Sequence, residues 1–366
     1  MEIKSLSLRR FRNYAALNIG FSPRVNLVYG ENAQGKTNLL EAVCYLSGAR
    51  SPRSRFDREL VSFGAADASM RAEIRSRDRD FLLEIALVPG RRRISVNGVA
   101  KHGGAALAEV FRTVYFCPED LLLVRAGAAE RRKFLDGALS QLRPRYAAAL
   151  TEYNRLLEHK TRILRDWPEK PSLLDTLEEF DRRMAATGSG LIHYRARYVR
   201  QLSDAAAHFH ADCSGGRERL DALYRTVSGV EDPFSPPEEL FRLLTEHQAR
   251  HRRAEREARS CLSGPHKDDL ELLIDGKSAR TFASQGQTRT AALALKLAER
   301  ELSFADTGEY PVLLLDDVLS ELDEKRQSYV LNQIRGGQVF ISCCEEDRLA
   351  GLEEGAAFHI RSGAAV

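Results

Sequence analysis

The sequence predicts an α/β fold in which a strand-and-helix core is interrupted by a long helical insertion. Three observations predict it. An apolar run, Val25-Asn26-Leu27-Val28-Tyr29, leads through a glycine-flanked turn into an amphipathic stretch with Leu39, Leu40, Ala42, Val43 and Leu46, the order strand, loop, helix. From about Arg131 to Ala211, apolar residues recur at three- and four-residue spacing. Val312 to Leu315, four apolar residues, then run into Asp316 and Asp317, as a buried parallel strand does when its C-terminal end meets a ligand crevice.

Taken in order, residues 1 to 30 alternate as strands do, with Ile3, Leu6 and Leu8, then Leu17, Ile19 and Phe21, around a turn at Arg10-Phe11-Arg12-Asn13-Tyr14. Ala68 to Arg75, Phe81 to Val88 and Ile94 to Val96 read as an antiparallel set, with turn chemistry at Pro89-Gly90 and Asn97-Gly98. Pro168 and Pro171 break the helical period, so two long helices are expected, joined near Trp167, and Leu240 to Ala258 reads as another helix. The α/β pattern returns after Gly264: strand Leu270 to Ile274, helix Gln287 to Glu301, strand Val312 to Leu315, helix Glu321 to Ile334 and strand Val339 to Ser342. Three segments follow: 1–130, with the phosphate-loop pattern and antiparallel strands; 131–262, a helical lobe with a short coiled-coil-like arm; and 263–366, the rest of the core.

At 366 residues and 43% hydrophobic, the chain can build a full core. No apolar stretch approaches the roughly 20 residues of a membrane span, and the N-terminus has no signal-like apolar region, which places the chain in the cytoplasm. A net charge of +3 does not by itself predict nucleic-acid binding, so any basic surface must be local. Six cysteines are scattered without a C-x-x-C pair and are expected to be reduced. Cys343 and Cys344, adjacent on a strand, should face opposite ways.

Gly30-Glu31-Asn32-Ala33-Gln34-Gly35-Lys36-Thr37 fills the pattern G-x-x-x-x-G-K-[ST], with Asn38 following. The glycines let backbone N–H groups wrap a polyphosphate, Lys36 reaches the β and γ phosphates, and Thr37 offers a hydroxyl to Mg²⁺. A nucleoside triphosphate, ATP, is the expected ligand. Asp316 would share the Mg²⁺ with Thr37, and Asp317 would polarise the attacking water. Ala283-Ser284-Gln285-Gly286-Gln287 stands before a helix, where an anion is favoured; alone, it reads more readily as an N-cap with a glycine turn.

Together with the other two motifs, Ser284, Gly286 and Gln287 resemble the signature motif of ABC-type ATPases, and Ser320-Glu321-Leu322-Asp323 resembles their D-loop. The resemblance implies an ATPase head that closes as a homodimer, the signature of one copy meeting the nucleotide held by the other. The interval between Lys36 and Ser284 is too short for the coiled coil of SMC proteins. Transporter nucleotide domains usually carry a histidine after the strand that ends in the acidic pair, where this chain has Val339-Phe340-Ile341-Ser342-Cys343-Cys344.

Nearly the whole chain resembles the RecF family of bacterial recombination-mediator ATPases. The likeness rests on Leu8 to Tyr14, the loop at Gly30 to Asn38, Pro118-Glu119-Asp120-Leu121, Arg131 to Asp136, Ser263-Gly264-Pro265-His266-Lys267-Asp268-Asp269 and Leu315 to Asp323. Two departures stand out: Ala126 to Glu130 replace a usual Gly-x-Pro turn, and Thr288 replaces a frequent glutamine. The resemblance implies an ATP-dependent dimer on double-stranded and gapped DNA that acts with RecO and RecR to load RecA in repair and the SOS response. Phosphate contacts would come from Arg50, Arg53, Arg55 and Arg58, while Arg91-Arg92-Arg93 reads equally as a solvated turn. His266 reads as a structural hydrogen-bonder more readily than a catalytic base, and Glu119 as a coupling residue. Two rival readings are a clamp that binds ATP without hydrolysing it and a nucleotide domain coupled to transport.

Overall fold

Strand-forming alternation in the first residues gives β1 (Glu2–Phe11) and β2 (Tyr14–Gly20), paired antiparallel with Leu6 opposite Ile19 and Leu8 opposite Leu17. A register shift between Ile3 and Ser5 lets Ile3, Leu6 and Leu8 all face inward, which strict alternation would forbid. The chain continues through β3 (Val25–Tyr29), α1 (Lys36–Tyr45), β4 (Ala68–Ser76), β5 (Arg79–Val88), β6 (Arg91–Val96), β7 (Val99–Lys101), α2 (Ala105–Ala108) and β8 (Thr113–Phe116). Next come α3 (Leu122–Arg125), α4 (Ala128–Leu142), α5 (Pro144–Asp166), α6 (Leu177–Ser214), β9 (Leu220–Arg225), α7 (Pro237–Ala258), β10 (Asp269–Ile274), β11 (Lys277–Ser278), α8 (Ala279–Phe282) and α9 (Gln285–Thr307). It ends with β12 (Val312–Asp316), α10 (Glu324–Gln333), β13 (Val339–Cys343), β14 (Gly355–Arg361) and β15 (Ala364–Ala365). This computed structural model describes residues 1–227, 229–319, 322–333, 336–344 and 355–366.

Two units emerge: Met1–Leu121 with Leu295–Val366, and Leu122–Ala294. The first holds an antiparallel sheet in the order β2-β1-β4-β5-β6-β7 and a second sheet in the order β15-β14-β3-β13-β12-β8. Strands β14, β3, β13, β12 and β8 run parallel, and only β15 is antiparallel. Helix α1 contributes Leu39, Leu40 and Val43, all fully buried, to a core shared with Leu8, Met70 and Ile85 of one sheet and Leu314 and Phe340 of the other. Truncating Leu39 to alanine there costs about 2–5 kcal/mol, because the rigid surroundings only partly refill the cavity.

The parallel register fixes where chemistry can occur. Asp316 lies level with Ser342, Cys343 with Tyr29, and Leu314 with Tyr115, so the ends of β3, β13, β12 and β8 open on one C-terminal edge. That edge is where ligands bind in open α/β sheets.

In the second unit, the stretch expected to hold two long helices holds three. Arg143 adopts extended angles and Pro144 starts α5, since proline suits a first helical turn but ends the one before it. The sequence reading also missed β9, whose Leu220, Ala222 and Tyr224 face inward and which pairs with β10. The Gly-Pro-His-Lys-Asp-Asp segment ties this unit together. Gly264 has φ 124°, and a Cβ there would lie 2.3 Å from the Tyr153 hydroxyl. Arg195 donates to Asp136 and the Pro265 carbonyl, and Arg131 forms a bidentate pair with Asp269 at 2.7 and 2.9 Å. No described helix is long and apolar enough to cross a membrane.

Candidate functional site

The loop after β3 is shaped by backbone demands that its sequence meets. Gly30, Ala33 and Gly35 all have positive φ, at 144°, 64° and 122°. A Cβ on Gly35 would come within 2.7 Å of the Asn13 side chain, so this close approach requires glycine. The Arg10–Tyr14 turn and the C-terminal hairpin clamp the loop from outside. The Asn13 amide donates to the Gln34 carbonyl at 2.8 Å, Tyr14 OH to the Gly35 carbonyl at 2.9 Å, and Gly363 N to the Gln34 carbonyl at 3.0 Å. Sequence alone gave no signal for the C-terminal clamp, which also brings Ser362 N to Gln34 Oε1 at 2.7 Å.

Lys36, almost wholly buried, donates to the carbonyls of Gly30 at 2.6 Å and Glu31 at 2.8 Å. Thr37 Oγ1 donates to Asp316 Oδ1 at 3.0 Å. Asp316 also accepts from Ser342 Oγ at 2.7 Å and, through Oδ2, from Tyr115 OH at 2.6 Å. Burial, reinforced by the Asp316 charge, holds the Tyr115 hydroxyl far above the ordinary phenol value, so it remains a proton donor. Neither Tyr115 nor Ser342 was singled out from sequence. Their signal is positional, the last turns of strands flanking β12.

Asp317 follows with φ 54°, and its N–H donates to Ser342 Oγ at 2.9 Å. A cavity of about 370 Å³ is lined by Asn32, Ala33, Gly35 to Asn38, Arg53, Asp317 and Ser342. Arg53, grouped with the DNA arginines in the sequence reading, thus stands in the wall of this cavity, donating to Asn38 Oδ1 at 3.3 Å. Arg50, Arg55 and Arg58 are exposed elsewhere on the same segment. Arg92 bonds Tyr45 OH at 3.2 Å and contacts Asp57, so of the arginine trio it serves structure.

These residues fit a Mg²⁺–nucleotide. Hydroxyl and carboxylate oxygens at hydrogen-bond distance are the hard ligands Mg²⁺ takes beside phosphate oxygens. Positive-φ backbone and a helix N-terminus at Lys36 provide an anion cradle.

The signature residues lie in the second unit. Ser284 Oγ accepts from Gln287 N at 3.2 Å while Ser284 N donates to Gln287 Oε1 at 2.8 Å, a reciprocal capping box at the start of α9. Gln287 also donates to Glu218 at 3.0 Å, and the Gly286 carbonyl accepts from Thr290. Ser284 itself is exposed. Asp323 caps α10 by accepting from Arg326 N at 3.0 Å, whereas Ser320 lies outside the described residues. His266 is held in the second unit by Tyr153 OH at 2.7 Å and the Cys261 carbonyl at 3.2 Å. Glu119 is exposed on a short 3₁₀ turn. Cys343 is buried and Cys344 exposed, and all six cysteines are free thiols.

A parallel sheet whose edge gathers a phosphate loop and an acidic strand end, with an inserted helical unit, defines an ABC-type ATPase head of the SMC-like kind. Comparisons agree. The RecF/RecN/SMC N terminal domain family matches residues 2–361. The SMC head from Pyrococcus furiosus superposes with a TM-score of 0.55 at 16% identity over 99% of this chain and 94% of that one, a likeness of fold. The DNA replication and repair protein RecF of Symbiobacterium thermophilum is 39% identical over 100% of this chain and 98% of its own. That of Agathobacter rectalis is 37% identical over 99% and 98%. A solved structure of the recombination mediator RecF with ATP, from the RecFOR pathway, superposes with a TM-score of 0.92 at 35% identity, covering 100% of this chain and 96% of that one. The chain belongs to the RecF family.

Proposed function

We propose that the chain is an ATP-dependent DNA-binding recombination mediator. The observation that carries this reading is the meeting of Thr37 and Asp316 beside the Lys36 loop, in a chain whose relatives are DNA replication and repair proteins. Lys36 and the loop N–H groups would hold the phosphates, and Thr37 and Asp316 would hold Mg²⁺. The metal supplies charge neutralisation at the transferring phosphoryl oxygens. Asp317 would accept the proton of the attacking water. Its side chain is one methylene shorter than the glutamate common in this class, so turnover is slow.

Ser284, exposed at a helix N-terminus, would face the nucleotide of a second copy, making the active form an ATP-dependent homodimer. On this reading the dimer closes on double-stranded DNA beside gaps and, with RecO and RecR, promotes RecA loading in the cytoplasm at the nucleoid. Hydrolysis, stimulated by DNA, opens it. Phosphate release with and without gapped duplex, alongside sedimentation with and without ATP, tests this. Stimulation and dimerisation support it, and failure of both rejects it.

A further inference from the structure

The segment joining α1 to β4 carries two aromatic rings that the fold holds outward. Phe63 is fully exposed, at 108% of its reference area, and Phe56 is 48% exposed. In a loose loop such exposure would carry no meaning, but this segment is pinned at several points. Leu60 is fully buried, Arg12 N donates to the Leu60 carbonyl at 2.8 Å, and Ser62 N donates to the Arg10 carbonyl at 2.7 Å. Tyr45 OH holds Asp57 Oδ1 at 2.8 Å. One neighbour of each ring, Asp57 beside Phe56 and Ser62 beside Phe63, is therefore anchored while the rings face solvent.

The charges around the Phe56 ring select the partner. Arg55 and Arg58 place their guanidinium carbons 5.4 and 5.0 Å from the centre of the Phe56 ring, and neither forms an ion pair among the described residues. Asp57 is already engaged by Tyr45 and Arg92, leaving Glu59 as the acid of this stretch without an ion-pair partner among the described residues. An apolar protein surface would match the rings but not the unneutralised arginines. A duplex backbone would match the arginines but not the rings, because stacked base pairs hide their faces. Single-stranded nucleic acid matches both, presenting phosphates to arginine and base faces to aromatic rings.

We infer that the exposed rings of Phe63 and of Phe56, the latter flanked by Arg55 and Arg58, serve as stacking surfaces for the unpaired bases of single-stranded DNA. This rests on the DNA-binding reading above and assigns to it the residues that meet the unpaired strand. The rings would engage the unpaired strand of a gap while other cations hold the duplex beside it.

Fluorescence anisotropy with the full chain and ATP would compare three labelled probes: a thymidine oligonucleotide, a blunt duplex and a gapped duplex. The rings are solvent-exposed, so Phe63→Ala and Phe56→Ala/Phe63→Ala should fold as the parent does, which circular dichroism checks. Expected are losses of roughly 5- to 150-fold on the oligonucleotide for each stacked base. Weaker binding to gapped duplex, unchanged binding to blunt duplex and restoration by Phe63→Tyr are also expected. The salt dependence should stay unchanged in the phenylalanine variants and flatten in Arg55→Ala/Arg58→Ala, since only the arginines displace counterions. Unchanged oligonucleotide affinity in the double phenylalanine variant overturns the inference, as do equal losses on blunt duplex. Those outcomes leave the broader reading intact if the parent still binds gapped duplex. A parent that binds none of the probes removes both.

Discussion

Thr37 Oγ1 and Asp316 Oδ1 meet at 3.0 Å although 279 positions separate them in sequence. The contact follows from strand order, because β3, β13 and β12 are successive parallel strands whose C-terminal ends share one edge, and α1 starts from that edge just after β3. Residues from opposite ends of the chain thereby form one oxygen pair suited to a divalent cation.

Replacing either partner should separate nucleotide binding from metal use. Thr37→Ala and Asp316→Asn should bind ATP without metal about as well as the parent but lose the gain that Mg²⁺ gives. Hydrolysis should fall at least about 100-fold, the scale of losing several kcal/mol of charge stabilisation. Titration of a fluorescent ATP analogue with and without Mg²⁺ measures the first effect and phosphate release the second. Equal Mg²⁺ dependence in parent and variants would remove the pair from the metal site.

Tyr115 acts on the same carboxylate from the β8 side. Tyr115→Phe removes the donor to Asp316 Oδ2 and leaves a buried acceptor short of one bond, a cost of about 1–3 kcal/mol in stability. Because the phenol touches the carboxylate and not the phosphate loop, kcat should fall severalfold with KM for ATP little changed. A rise in KM at constant kcat would contradict this positioning role.

Much of this arrangement was legible in the sequence because local signals agreed. The loop glycines, the Val312–Leu315 run and the acids after it each specify backbone geometry within a few residues. What escaped was set at long range. Ser342 and Tyr115 become site residues only through inter-strand register, and Arg53 reaches the cavity wall only because the segment after α1 folds back on Asn38. The break before α5 was hidden because the apolar period runs straight through Arg143 and Pro144. β9 was missed because its inward residues Leu220, Ala222 and Tyr224 take on meaning only through pairing with β10.

Acid should destabilise the second unit through its histidines. Burial pushes both His247 and His266 down from 6.5 to about 4, with His251 and Arg250 adding to the first and Lys267, Lys160 and Arg132 to the second. Between those values the unfolded chain binds more protons, so this stabilisation is complete above pH 6.5 and is lost as pH falls toward 4. Asp268 works in the opposite sense. Burial raises its carboxyl from 3.8 to about 6, so its contribution is full at low pH and is lost as pH rises through 6. With two groups against one, acidification from pH 6.5 to 4.5 should lower the unfolding free energy by about 2 kcal/mol. Trp167, the one tryptophan, lies in this unit and reports its urea midpoint by fluorescence. His247→Gln/His266→Gln should abolish the decline and leave the reverse slope of Asp268; an unaltered decline would place its origin elsewhere.

Ser284 and Gln287 share one capping box, which lets a structural role be separated from a nucleotide role. Ser284→Ala and Gln287→Ala each break the reciprocal pair and should each cost about 1 kcal/mol of stability. Only the first removes the exposed hydroxyl. If that hydroxyl meets the nucleotide of a second copy, Ser284→Ala should weaken ATP-driven dimerisation and slow hydrolysis more than tenfold beyond Gln287→Ala. Both variants should still bind ATP as monomers, because the phosphate loop belongs to the other unit. Sedimentation with ATP and phosphate release provide the comparison. Matching losses in the two variants would reduce Ser284 to a helix cap and leave the composite dimer site without its serine.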